Sequence, residues 1–451
     1  MNAGAWVPDR QFRWISALLV IVALFLLQVP DGFNWAGIGT INLNAGDNPR
    51  LLPKIQWFPL FGLGALFLLA RFRLTMAILP HLNPFMIAAA VWIVASSLWS
   101  YDPSLTLRRS IKILGTLVIG WGVVMTCWDY GRYERVLRMG MLVFLLASLV
   151  FIAVKPAWGI HQAHENESAL AGAWRGMASH KNPFGAMASV ALVYWMHAWL
   201  TDRAHRGLAL FAIVVCAVCT IGSRSSTSLL CGVLSIGVLL AGLKTEIARR
   251  PGALFLLLGA LFLVPIFWFI ILNGFPTFDE ALGPLTRLLG RDLTFTGRLP
   301  LWQALLDEIP QRPILGSGYQ AFWGPAGALS DAARARAGWI SINGHNGYLD
   351  TANEIGLIGI GLILAAISFD IRRAVRLASL SASVFALHLA VNFYQLVSNL
   401  SETMFFRTIS MTFLLTTMSS FHLARISLDL ELRRRTGMPL PEGRAPLPAS
   451  S

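Results

Sequence analysis

Apolar residues run in blocks along nearly the whole chain, separated by short polar connections rich in Arg, Asp, Gly and Pro. A helix needs about 20 apolar residues to cross the hydrocarbon core of a bilayer. On that measure the pattern predicts spans near 14–30, 56–70, 82–100, 111–128, 138–154, 183–200, 207–222, 227–243, 253–272, 347–368, 380–399 and 405–421. The expected fold class is all-α, a polytopic membrane helix bundle of about 12 transmembrane helices. The block from Trp14 to Pro30 follows Arg10 and Arg13 but is not followed by a small-residue cleavage pattern, so it reads as a retained first span. One connection stands apart: residues 273–346 are too many for an ordinary turn, and a function is expected there. Residues 1–435 read as a single membrane domain that includes this loop, and 436–451, rich in Pro, Ala and Ser, as a disordered tail.

Composition supports this reading. Only 13% of the 451 residues are charged, against about 25% in a soluble domain. The net charge of +13 comes from small basic clusters between apolar blocks. Those clusters act as orientation signals, so no nucleic-acid partner is expected. One set of connections carries twenty Lys and Arg, against ten in the short connections of the other. Both termini are therefore expected in the cytoplasm and the 273–346 loop on the periplasmic face. Cys127, Cys216, Cys219 and Cys231 all lie in apolar blocks and read as core packing.

Four clusters on the outward face could carry chemistry. Arg175 and Lys181 stand at the mouth of the sixth span, with Pro183 in its first turn. A helix start adds unpaired N–H groups, so either an anion site or lipid head-group contacts would fit these cations. Arg224 sits among Gly222, Ser223, Ser225, Ser226 and Thr227 in a short turn, where a guanidinium can fork onto phosphate oxygens or simply cap the turn. In the long loop, Thr296 can cap a helix whose stripe is Leu299, Trp302, Leu305, Leu306 and Ile309. Arg298 falls in its first turn, where a cation opposes the helix dipole unless an anion sits there; Asp307 and Glu308 lie two or more turns away. Where the chain returns to the tenth span, His345 is placed to accept a proton from a hydroxyl, or to bond to backbone. Glu354, inside an apolar run, could orient His345 or pair with an Arg, and Asp350 shares its helix face. Gly356, Gly359 and Gly361 read as helix packing. No metal-ligand spacing stands out, and no cofactor is expected.

Several outward-facing cations with one His suit a site that holds a multiply charged anionic leaving group and deprotonates a hydroxyl. A lipid-linked diphosphate donor fits that description.

The stretches RGMASHKNPFG (175–185), GSRSSTSLL (222–230), TGRLPLWQALLDEIPQRPILGSGYQAFW (296–323) and HNGYLDTANEIGLIG (345–359) resemble the O-antigen ligase/polymerase superfamily, most of all its ExoQ-type exopolysaccharide polymerases. The resemblance implies a metal-independent, inverting glycosyltransferase of the bacterial inner membrane. It would act on the periplasmic side on undecaprenyl-diphosphate-linked oligosaccharides. Arg224 and Arg298 match the family's diphosphate-binding arginines, and His345 its catalytic histidine; Arg175 and Lys181 match a cluster of the polymerase-like members. Glu354 is assigned beside His345 as its catalytic partner. Membrane lipids, a chain-length regulator and export machinery are the implied partners. The alternatives are an O-antigen ligase acting on lipid A core and a transporter of polysaccharide or lipid-linked sugar. The absence of a visible repeat between the two halves weighs against the transporter.

Overall fold

The computed structural model describes residues 11–30, 33–35, 56–126, 130–165, 170–244, 298–324, 329–338, 341–378, 380–408 and 410–437. The expected span near 253–272, Thr296, Cys127 and nearly all of the tail lie outside the described residues.

The described residues form an all-α multi-pass membrane bundle. In order the helices are α1 (Gln11–Leu26), α2 (Phe58–Ala70), α3 (Phe72–Ile78), α4 (Pro84–Ala95), α5 (Pro103–Thr126), α6 (Tyr130–Val154) and α7 (Lys181–Thr201). They continue with α8 (Arg206–Gly222), α9 (Ser226–Lys244), α10 (Arg298–Glu308), α11 (Asp331–Ala337), α12 (Gly347–Leu377), α13 (Ala382–Ser398) and α14 (Met411–Thr436). Among the described residues six helices are long and apolar enough to cross a membrane, or seven if the α2–α3 pair, bent by 88°, is one span. Trp14–Leu26, Pro84–Leu98 and Ala382–Ser398 are apolar but short, α14 is long but not apolar enough on that measure, and 253–272 lies outside the described residues, so the count of twelve is not established.

Two boundaries differ from the hydropathy reading in ways that matter. Helix α5 begins at Pro103, so Arg108 and Arg109 lie on a helix rather than in a connection. Helix α14 runs on to Thr436 and carries Arg425 and Arg433 to Arg435, which the sequence assigns to a tail.

The core sits where α13 packs against α9, α12 and α14 and where α7 packs against α8 and α9. Helix α14 is buried along most of its length despite its Thr, Ser, His and Arg residues. Its polar groups meet partners inside the bundle: His388 Nδ1 lies 2.7 Å from Ser419 Oγ, and His388 Nε2 lies 3.0 Å from His422 Nδ1.

Helix α12 is broken. Gly356 holds φ +70° and ψ −178°, which ends the helical path after Ile355 and restarts it one residue later. A break inside an apolar bundle strands backbone carbonyls that lipid cannot satisfy. Here the segment 313–318 lies in the gap. Ser317 N–H donates to Asn353 O at 2.9 Å, Gly318 N–H to Glu354 O at 2.8 Å, and Leu357 N–H to Pro313 O at 2.8 Å. The indole of Trp92 closes the gap by donating to Ile355 O at 2.9 Å. The fit leaves no space for side chains: a Cβ on Gly356 would lie 2.0 Å from Ile314 O, and one on Gly316 2.5 Å from the Glu354 carbonyl carbon. The packing role expected of Gly356 is thus replaced by a backbone role, and a Cβ on Gly361 meets nothing within 4 Å.

The segment around α10 folds on itself. Leu301, Trp302, Ala304 and Leu305 pack with Phe322, Trp323 and Ala333 into a small core. Leu306, expected on the buried stripe, is exposed, so the buried face is turned toward α11 and 322–323.

Gly356→Ala should therefore disrupt the seat of 313–318 and cost at least about 3 kcal/mol, since both overpacking and φ strain apply. Gly361→Ala should be neutral or stabilising by up to about 1 kcal/mol. Apparent melting temperatures of the two variants in detergent would test this; equal values would refute it.

Candidate functional site

His345 stands in the short connection before α12. Its backbone holds φ +49°, an uncommon conformation for a residue with a side chain. Three contacts impose it. The Asn343 Oδ1 accepts from His345 N–H at 2.9 Å, Trp302 Nε1–H donates to Gly344 O at 2.8 Å, and Gly344 N–H donates to Asp350 Oδ2 at 2.8 Å. Asn346 caps α12, accepting from Tyr348 N–H and Leu349 N–H. Asp350, fully buried, also accepts from Trp323 Nε1–H at 2.7 Å and from the Thr403 hydroxyl at 2.5 Å. It serves to tie the His345 turn to the segment 399–408.

That segment supplies the centre of the site. Glu402 is 9% exposed. Its Oε1 accepts from Asn182 Nδ2–H at 2.9 Å and from Arg298 Nη2–H at 3.2 Å, and its Oε2 lies 3.4 Å from His345 Nδ1. The last distance is long for a hydrogen bond. Arg298 also donates to Ser401 O, and Ser401 Oγ–H donates to Thr227 Oγ1 at 3.1 Å. One carboxylate thus gathers α7, α10 and the approach to α12. Burial alone would raise the Glu402 carboxyl, but the hydrogen bond and charge of His345, with the charges of Arg298 and His180, outweigh it and hold the group below its ordinary value. Glu402 is therefore a carboxylate at neutral pH. A carboxylate beside Nδ1 favours the tautomer with its proton on that nitrogen, which leaves Nε2 as the acceptor.

Lys181 and Arg224 join this cluster from the bundle side. Lys181 Nζ–H donates to Arg224 O at 3.2 Å. Arg224 holds φ +49° in the turn between α8 and α9, and its Nη1–H donates to Ala171 O at 3.2 Å. Ser223 and Ser225 cap the adjoining helix ends, which leaves the exposed Arg224 guanidinium clear of the capping role. It lies over Gly172, where a Cβ would be 3.2 Å from Nη1.

Two expected site residues are placed elsewhere. Arg175 is 1% exposed. It donates from Nη1 and Nη2 to the two oxygens of Glu165 at 2.9 and 2.8 Å, and from Nε to Trp158 O at 2.6 Å. This bidentate pair, with the bond to Trp158 O, ties Glu165 and Trp158 to Arg175 and commits the guanidinium. Glu354 pairs through Oε1 with Arg407 at 2.8 Å. Of the two roles open to it from the sequence, the Arg pair is the one formed; the carboxylate beside His345 is Glu402. Asp307 pairs with Arg336 instead of Arg298.

Sequence reasoning passed over Glu402. Its signal was an acidic residue within SET, in a five-residue connection between two apolar blocks, where a carboxylate calls for partners. Glu165 was missed in the same way.

Residues 208–364 match a family profile described as O-antigen ligase. That window encloses Arg224, Arg298, His345 and Glu354, and leaves Arg175, Lys181 and Glu402 outside. The chain is also similar to the exopolysaccharide production protein ExoQ of Rhizobium meliloti (strain 1021), at 30% identity over 298 residues. The similarity covers 61% of this chain and 63% of that relative, so a little under two thirds of the relative's length is matched. The family likeness read from the sequence is thus found by both comparisons, and the profile takes in the stretches 222–230, 296–323 and 345–359.

Two outcomes follow from the buried Arg175–Glu165 pair. Arg175→Ala strands a buried carboxylate and should cost about 3–5 kcal/mol, lowering the melting temperature, with part recovered in Arg175→Ala combined with Glu165→Ala. An Arg175→Ala chain as stable as wild type would remove the structural role. His161, beside this pair, is pushed down to about 4 by burial first and then by the His180 and Arg175 charges, against the pull of Glu165. A depressed histidine favours the neutral ring, so its contribution is complete above the ordinary value of about 6.5 and is lost as pH falls through the folded value. Melting temperature should fall between about pH 6.5 and 4, and His161→Gln should flatten that profile.

Proposed function

With the match to the O-antigen ligase family and the likeness to ExoQ as premise, we propose that this membrane chain polymerises undecaprenyl-diphosphate-linked oligosaccharide units into exopolysaccharide by inverting glycosyl transfer. The observation that carries this reading is the convergence of Arg298, Asn182 and His345 on Glu402, with Lys181 and Arg224 linked alongside. The arrangement supplies a base and several cations at one end of an apolar bundle, which suits a substrate with a lipid tail and a diphosphate head.

In the proposed mechanism Arg224, Arg298 and Lys181 hold the donor diphosphate. Arg298 spends two donors on Ser401 and Glu402 and keeps most of its N–H groups for the ligand. His345 Nε2 takes the proton of the acceptor hydroxyl. The hydroxyl oxygen then bonds to the anomeric carbon as its bond to the diphosphate oxygen breaks on the opposite face, which inverts the centre. The cations take up the charge that gathers on the departing diphosphate, as positioned donors do in other transfers. Glu402 holds the imidazole in its reactive tautomer and stabilises the imidazolium that forms. Arg175 acts behind the site by shaping the connection from which Lys181 emerges.

The proposed location is the inner membrane, with both termini cytoplasmic and the site facing the periplasm, as the distribution of Lys and Arg supports. A second reading, ligation of glycan to lipid A core, is favoured by the matched profile's description. It uses the same residues and differs in product.

His345→Ala should abolish polymer and let lipid-linked single units accumulate, as read by gels of surface polysaccharide and by extracted lipid. Glu402→Gln should lower turnover by about 10- to 100-fold, the effect of losing a group that orients a reacting imidazole. Unchanged chain lengths in His345→Ala would refute the base assignment. Product linked to lipid A would favour the ligase.

A further inference from the structure

A second charged cluster lies along α12 from His345 and has no part in the chemistry just described. Buried Glu354 meets Arg407 at 2.8 Å, and Arg109, in the second turn of α5, donates from Nη1 to the backbone oxygen of Gln320. Arg109 and Arg407 flank the same backbone patch, because Gln320 and Tyr319 are hydrogen bonded to Thr408 and Phe406 on either side of Arg407. Arg109 spends one donor on Gln320, which leaves most of its N–H groups for another acceptor.

The wall between these cations is strained. Gln320 and Phe406 hold φ of +54° and +41°, a conformation that costs of order 1–3 kcal/mol in non-glycine residues and persists where the surroundings impose it. The surroundings here do impose it. Tyr319 OH donates to Phe406 O at 2.5 Å, Gln320 Nε2–H donates to that phenol oxygen at 2.6 Å, and Thr408 Oγ1–H donates to Gln320 Oε1 at 3.1 Å. The segment 399–408 spans both clusters, with Glu402 at the first and Arg407 at the second.

A polymerase that joins two lipid-linked units must hold two lipid diphosphates at once. One leaves during the reaction, and the other stays attached to the acceptor. Both lipids stand in one leaflet, so the acceptor's sugars must fold back to bring the attacking hydroxyl to His345. The departing diphosphate gains charge, which suits the richer set of Lys181, Arg224 and Arg298. The retained one does not, which suits a smaller pair of cations, one of them already partnered by Glu354. We propose that Arg109 and Arg407 form a second diphosphate site, which holds the acceptor's lipid diphosphate while the donor's departs. This rests on the polymerase reading.

Native mass spectrometry of the full chain with added undecaprenyl diphosphate tests it, with phosphatidylglycerol at equal concentration as the head-group control. Two undecaprenyl diphosphates should bind wild type, and one each should bind Arg109→Gln and Arg298→Gln. In a polymerisation assay Arg109→Gln should raise KM for the lipid-linked unit by about tenfold with little change in kcat, and Arg109→Lys, which keeps the charge, should fall between. Retention of one bound lipid by Arg109→Gln also reports that the chain is folded. A single bound lipid on wild type, unchanged stoichiometry in Arg109→Gln, or equal occupancy by phosphatidylglycerol would overturn the proposal. If two lipids bind as expected but no polymer forms, the polymerase reading fails and the second site stands as a lipid diphosphate site. Polymer made by a chain that binds a single lipid has the opposite meaning.

Discussion

The structure depends on how one helix break is satisfied. Helix α12 stops being helical at Gly356, and the carbonyls of Asn353, Glu354 and Ile355 would be stranded in an apolar interior. The segment 313–318 and the Trp92 indole take them up. This backbone exchange ties the segment after α10 to the bundle at a fixed height. The first turns of α12 then become the shared wall on which both charged clusters are built, with Asp350 toward the His345 turn and Glu354 toward Arg407. A loop held only by side-chain contacts would not fix either cluster so closely.

Electrostatics follow the same logic of fixed partners. Three carboxylates of low exposure, Glu165, Glu354 and Glu402, each meet at least one guanidinium. A buried charge without a partner is costly, so each pair is a condition of burial before it is anything else. The pairs differ in what they leave over. Arg175 is used up by Glu165 and Trp158. Arg298 meets Glu402 through one nitrogen and keeps donors, while Glu402 also turns toward His345. Chemistry is expected where the pairing is incomplete.

Hydropathy was enough to read an all-helical membrane bundle, because burial in lipid demands long apolar runs. It misjudged helix ends wherever polar residues continue a helix, as at Arg108 and Arg109 in α5 and Arg433 in α14, since charge patterning reports on solvent contact rather than backbone geometry. Arg224, Arg298, His345 and Lys181 stand out in the sequence by their positions at span mouths and in the long connection. Arg175 was legible as a cation, but its partner Glu165 is ten residues earlier in a polar stretch with no periodic pattern. Glu402 was legible only as a carboxylate in a short connection between apolar blocks. Its meaning lies in contacts to residues as distant in sequence as Asn182 and Arg298, and such pairings are set by tertiary packing.

The left-handed backbone at His345 has a practical consequence. Among residues with a side chain, asparagine tolerates this conformation best. Replacing the imidazole by a carboxamide would leave the chain's course between Asn343 and Asn346 undisturbed while removing the proton acceptor. On the proposed mechanism such a protein would be an arrested form, able to load its substrates and unable to join them. That makes position 345 the natural place to trap both ligands together for imaging.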